Sequence, residues 1–271
     1  MNFLKRRFVN PLHVVRASPW PFVASLMAFR LTGGLVLWWR KFIISFPFYV
    51  FILLLFLMVF WWRDVSFESS QGEHSFKVFN FFRVGMLLFI LSEVLFFFRF
   101  FWAFFHNCLA TTLDIGNDWP PYNFLKIIID PFSVPLLKTV LLLSSGITIT
   151  SRHHFIIINK KTKRRIMLFF TLTLGVIFLR FQLFEYSSSY LGINRRTYGS
   201  SFYILTGFHG LHVIIGRIML LVSFLRLFFY YYRKRVHLVF ELSAWYWHFV
   251  DVVWLFLYFF LYWFGFLLTQ V

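Results

Sequence analysis

Residues 42–62 read FIISFPFYVFILLLFLMVFWW. No charge interrupts the run, and Arg63 closes it. A helix needs about 20 apolar residues to cross roughly 30 Å of hydrocarbon, so this run is long enough to span a bilayer. Working outward, six more windows meet the same condition, near residues 22–39, 82–105, 132–151, 166–186, 199–226 and 241–268. The sequence therefore predicts an all-α polytopic membrane protein with seven transmembrane helices. It reads as a single seven-helix membrane domain over residues 1–271. The longest connection, residues 106–131, contains Trp119, Pro120 and Pro121 and is too short to hold a core of its own.

Composition excludes the competing classes. Hydrophobic residues make up 60% of the 271 and charged residues only 14%, against about a quarter charged in soluble domains. Aromatic residues reach 24%, with 43 Phe, which disordered, collagen-like and coiled-coil chains do not carry. One cysteine, Cys108, cannot close an internal disulfide or build a multi-thiolate cluster. The net charge of +17 would suggest nucleic acid in a soluble protein. Here the basic residues gather in short loops between apolar runs, so no nucleic-acid partner is expected.

Their distribution predicts an orientation. Lys5, Arg6, Arg7 and Arg16 precede the first span, Arg63 and Lys77 follow the second, and Arg233, Lys234 and Arg235 follow the sixth. Six more, Arg152, Lys160, Lys161, Lys163, Arg164 and Arg165, follow the fourth. The alternate loops hold only Arg40, Lys41, Lys126, Arg195 and Arg196. The asymmetry puts the N-terminus inside and the C-terminus outside. The opening MNFLKRRFVNPLHVV has no apolar core followed by a small-residue cleavage site, so no removable signal is expected. Synthesis inside an organelle or a bacterium fits the Phe bias.

Ionisable groups inside spans need a partner or a function. Glu93 sits midway along the third window, where no water solvates a carboxylate. It is read as a proton-relay or lipid-responsive carboxyl, or as a protonated group bonded to a neighbouring helix. Arg99 lies six residues on, about 120° round the helix, and cannot pair with it. Arg30, Arg180 and Lys138 also fall within spans, and Arg30 is expected to face protein or a lipid phosphate. In the last span Glu241, Trp245, His248 and Asp251 draw a polar stripe expected to point into the bundle. His209 and His212, at i and i+3 on the sixth, invite a metal or haem reading. No HExxH or CxxCH accompanies them, and bonding to neighbouring helices is the better expectation. No metal site is predicted, and no catalytic triad, phosphate loop or paired carboxylates are present.

Several blocks carry a family likeness: SPWP (18–21), WWRDV (61–65), SEVLFF (92–97), FFWAFFH (100–106), WPP (119–121), VPLL (134–137), LLLSSG (141–146), YGS (198–200), TGFHGLHVIIG (206–216) and AWYWHFVDVVWLFLY (244–258). Together they resemble subunit III of cytochrome c oxidase over nearly the whole chain. The resemblance implies a core, non-catalytic subunit of a respiratory proton-pumping oxidase that takes electrons from cytochrome c to oxygen. It implies two helix groups, the first two and the last five, separated by a V-shaped cleft filled with phospholipid such as phosphatidylglycerol, phosphatidylethanolamine or cardiolipin. No redox cofactor is expected in this chain, with haem a and copper in partner subunits. Subunit I is the implied main contact, with subunit II and accessory subunits beyond. The implied location is the mitochondrial inner membrane, N-terminus in the matrix and C-terminus in the intermembrane space, with a bacterial plasma membrane as the alternative.

Residue by residue, the resemblance makes Glu93 the family's buried carboxyl. It assigns Trp62, Glu68, His74 and Arg226 to lipid headgroups. The family's usual Arg before Glu68 is Phe67 here, and the loop after it is one residue shorter. Arg99 replaces a small residue, Lys138 an Asn and Val239 a Gly, while Arg30 and Arg180 take apolar positions. Partner subunits or acidic lipids are expected to meet the added arginines, Arg30, Arg99 and Arg180. An accessory subunit of a quinol oxidase and an unrelated seven-span transporter are the alternative readings.

Overall fold

The computed structural model describes residues 13, 15–41, 45–72, 74–111, 119, 129–158, 160–189, 192–193, 196–228 and 237–267. Seven helices among them are long and apolar enough to cross a membrane. They are α1 (Trp20–Trp39), α2 (Phe46–Gln71), α3 (Phe76–Leu109), α4 (Val134–Ile157), α5 (Lys161–Ser188), α6 (Arg196–Phe228) and α7 (Leu238–Leu257). The last continues as a π-helix, Tyr258–Phe264, and a final turn, Gly265–Leu267. No strand occurs among the described residues.

Proline sets three of the starts. α1, α2 and α4 each carry one, Pro21, Pro47 and Pro135, in the first turn, where a missing N–H costs nothing. The ends differ from the predicted spans because hydrophobicity does not terminate a helix. α2 was expected to stop at Trp62, yet it runs to Gln71 and ends only at Gly72, whose φ of 84° is left-handed. The Gly72 amide caps the carbonyls of Glu68 and Ser69. Residues 42–44, Pro120, Pro121, Lys126, the basic residues 5–7 and 233–235, and residue 268 lie outside the described residues.

The chain forms two compact units, Met1–Val84 and Gly85–Val271. The division falls inside α3, whereas the resemblance placed it before the third helix. In the first unit, α1 and α2 pair as a hairpin. Gly34 lets them close, since a Cβ there would stand 2.8 Å from the Phe46 ring.

The second unit is organised around α7. Tyr246, Trp247, Val250, Trp254 and Leu257 fall on one buried face and meet Phe97 and Phe104 of α3, Leu142 of α4, Phe178 of α5 and Val213 of α6. Trp247 fits because its neighbours are small. A Cβ at Gly175 of α5 would lie 3.0 Å from its ring, and one at Gly216 of α6 would lie 3.1 Å away. A buried indole N–H needs an acceptor, and α4 supplies two. Trp247 Nε1 donates to Ser145 Oγ at 2.8 Å, and Trp254 Nε1 donates to Thr139 Oγ1 at 3.0 Å. Outside this core the surface is apolar, with Phe22, Trp39, Leu95, Phe98 and Leu183 exposed, as a lipid-facing surface requires.

Gly216→Val puts methyl groups into the Trp247 and Tyr246 rings, an overpacking that costs about 1–3 kcal/mol. Maleimide labelling of the buried thiol of Cys108 during a temperature ramp is expected to begin at lower temperature in this variant. An unchanged profile would mean that α6 does not press on α7 there.

Candidate functional site

Glu93 comes from the middle of α3 and His212 from the middle of α6. The spans carry few polar groups, and these two find each other: Glu93 Oε2 stands 2.8 Å from His212 Nε2. The other imidazole nitrogen, Nδ1, lies 2.6 Å from the carbonyl of Phe208, one turn back on α6. A carbonyl only accepts, so Nδ1 carries the proton. Nε2 then either accepts from a protonated Glu93 or, as imidazolium, donates to its carboxylate. One proton can sit on either group without changing the pair's net charge. Phe96, Phe97, Tyr246 and Phe249 surround the ring at centroid distances from 5.0 to 6.3 Å. Glu93 keeps 21% of its side-chain surface accessible.

His209, one turn away, goes elsewhere. Its Nε2 donates to the carbonyl of Val250 on α7 at 3.2 Å, between the rings of Phe178 and Trp254. The i, i+3 spacing thus sends one imidazole to α7 and the other to α3, so the two do not converge on one centre.

The stripe on α7 departs from expectation. Asp251 is buried, but Glu241, Trp245 and His248 are only partly so, and the His248 side chain is 45% exposed. The aromatic face of α7 occupies the bundle interior, which leaves the stripe along its edge. There Asp251 and His248 stand 3.6 Å apart, and His248 Nε2 is 3.4 Å from Thr150 Oγ1 of α4. A groove of about 660 Å³ runs between α4 and α7, lined by these residues with Leu143, Ile147 and Leu255.

A second polar cluster escaped the sequence reading. Lys138 of α4, fully buried, meets Glu185 of α5 at 2.7 Å. Tyr262 donates to the other oxygen of Glu185 at 2.6 Å, and Lys138 Nζ donates to Gln182 Oε1 at 2.9 Å. The ammonium also lies over the Trp254 ring, 4.8 Å from its centroid. The counter-ion of Lys138 is therefore internal to the chain. The signal was present: a lysine inside an apolar span demands an acid, and Gln182 and Glu185 share a face at i and i+3. Arg30, Arg99 and Arg180 are exposed on their helices. Val239 also faces outward, while the neighbouring Phe240 is buried beneath the Arg152 guanidinium at 3.6 Å. The bulk added at Val239 therefore enters no core.

In the first unit the end of α2 gathers Glu68 and His74. Gly72 reverses the chain between them, and His13 joins from the N-terminal arm with its Nε2 3.0 Å from Glu68 Oε2. His13 was missed because nothing in its local sequence marks it. Trp62 is 60% exposed, on a different face of α2 from Glu68. Arg226 lies at the end of α6, in the other unit.

Removing one side of a buried ion pair strands the other charge, at a cost of about 3–5 kcal/mol. Lys138→Met and Glu185→Gln are each expected to lower the thermal stability of the assembled chain by that order. The double variant should lose less than the sum by about 1–3 kcal/mol. Strict additivity in the cycle would contradict the pairing.

Comparison with known proteins identifies the family. The family model described as Cytochrome c oxidase subunit III matches residues 10–266. The chain is 48% identical to cytochrome c oxidase subunit 3 of Patiria pectinifera over 257 residues, covering 94% of this chain and 98% of that one. It is 46% identical to the same subunit of Anopheles gambiae, with 94% and 97% covered. With that of Chondrus crispus the identity is 46% over 262 residues, covering 94% of each. A family match over residues 10–266, near-complete coverage at this identity and seven membrane-length helices among the described residues lead to one conclusion: the chain belongs to the cytochrome c oxidase subunit III family.

Proposed function

We propose that this chain is a redox-silent core subunit of the oxidase, seated on subunit I, that supports proton uptake during electron transfer from cytochrome c to oxygen and holds phospholipid. The observation that carries the reading is the Glu93–His212 pair. A carboxyl and an imidazole that share a proton inside a bundle of apolar helices form a site that can take up and release a proton, and neither group needs a metal to be satisfied. Lipid headgroups are assigned to Trp62, Glu68 and His74 in the first unit and to Arg226 in the second. Donor imidazole and guanidinium groups at helix ends suit phosphate. The proposed setting is the mitochondrial inner membrane with the N-terminus in the matrix. The basic loops and the animal and algal relatives support it.

The test is Glu93→Gln in the assembled complex. The variant keeps the shape of the side chain and removes its titration. Proton uptake is expected to slow by between about two- and tenfold, the equivalent of one hydrogen bond of roughly 1 kcal/mol, with faster inactivation during turnover. Wild-type uptake and lifetime would reduce Glu93 to seating α3 on α6. For lipid, Arg226→Ala is expected to release a tightly held phospholipid from the purified complex, read by mass spectrometry. An undiminished phospholipid count would remove Arg226 from the headgroup set.

A further inference from the structure

The N-terminal arm is fastened along one face of the last turns of α2. Trp20 Nε1 donates to Asp64 Oδ2 at 2.7 Å, Arg16 donates to Gln71 Oε1 at 3.0 Å, and His13 pairs with Glu68 at 3.0 Å. Asp64, Glu68 and Gln71 stand at i, i+4 and i+7, the spacing of a single helix face. Gly72 then turns the chain back, so that His74 faces the same carboxylate. The His13 and His74 rings meet edge to face at 5.1 Å, and Phe82 packs against His74 at 5.5 Å.

One ligand atom from each of His13, Glu68 and His74 lies within 4.8 Å of the other two. We propose that these three residues form a binding site for a divalent transition-metal ion of the zinc type. Two imidazole nitrogens and one carboxylate oxygen are the donor set that zinc accepts, while magnesium and calcium prefer oxygen alone. A tetrahedral ion with bonds of about 2.0–2.1 Å holds its ligand atoms roughly 3.3 Å apart, so His13 and Glu68 already stand at ligand spacing. His74 needs only a small side-chain movement. The His13 and Glu68 side chains are 13% and 14% exposed, so an ion there would lose most of its water while remaining reachable.

Three protein ligands leave a fourth position open. An ion held by two neutral imidazoles and one carboxylate keeps one positive charge, and the open position suits water or a phosphate oxygen. This would also remove a difficulty in the lipid reading: a phosphodiester beside Glu68 is repelled unless a cation stands between them. The metal site does not rest on that reading, and the two are separable in experiment.

The purified oxidase complex is stripped with chelator and depleted of lipid. It is then titrated with radioactive zinc, with bound metal counted per haem. The native complex is expected to bind one zinc more than His74→Ala and Glu68→Gln complexes of equal haem content, and His13→Gln is expected to weaken that zinc by at least about tenfold. Excess magnesium should leave the binding intact. Equal zinc content and affinity in native and variant complexes, or displacement by magnesium, would overturn the site. A measurement on the native complex covers variants that fail to assemble. Zinc should protect His13 and His74 from diethylpyrocarbonate while His106 stays reactive, and equal modification with and without zinc would overturn the proposal. Loss of zinc from the Glu68 and His74 variants with bound phospholipid retained would count against the headgroup assignment alone.

Discussion

An indole N–H left unpaired in hydrocarbon is costly, and the packing of this chain's larger unit follows from satisfying two of them. Trp247 and Trp254 lie two turns apart on one face of α7 and donate to Ser145 and Thr139 of α4. These bonds fix both the rotation and the height of α7 against α4. With α7 so placed, its aromatic face occupies the interior, and Gly175 and Gly216 leave α5 and α6 just enough room to close over Trp247. Lipid supplies no hydrophobic drive for helices to associate. Close packing around small residues and a few obligatory hydrogen bonds do that work.

The same solvent decides where the charges go. Lys138 and Glu185 cancel within the bundle, with Tyr262 donating to Glu185 and Lys138 donating to Gln182. Tyr262 reaches the pair from a π-helical stretch, where the wider turn re-aims side chains relative to an α-helix. Such a pair contributes little net stability compared with apolar residues, yet it strongly penalises any arrangement that separates its members. The Glu93–His212 pair differs in kind. It joins one carboxyl to one imidazole across α3 and α6, and Glu93 retains some accessible surface. One cluster fixes the geometry of α4, α5 and α7, and the other ties α3 to α6.

In the smaller unit, order comes from polar contacts at one end of a helix hairpin. The arm, the last turns of α2 and the segment after Gly72 meet through Trp20, Arg16, His13 and His74. The result is a compact polar knot beyond the apolar run.

The seven spans were legible in the sequence because a helix of about 20 apolar residues is the cheapest way to carry a backbone through lipid, and the run from Phe42 to Trp62 announces one without ambiguity. Glu93 and His212 were each visible as costly residues, and the blocks around them carried the family likeness. The sequence did not reveal who meets whom. Spacing along one helix gives a face, while the partner depends on how neighbouring helices rotate. For that reason the stripe from Glu241 to Asp251 was assigned to the interior when the tryptophan face takes that place. The same limit hid Glu185 as the counter-ion of Lys138, 47 positions away in the chain, and hid His13 beside Glu68. Local hydrophobicity determined the elements. Tertiary packing alone decided the pairs, since hydrogen bonds between helices are set by three-dimensional register and leave no period in the sequence.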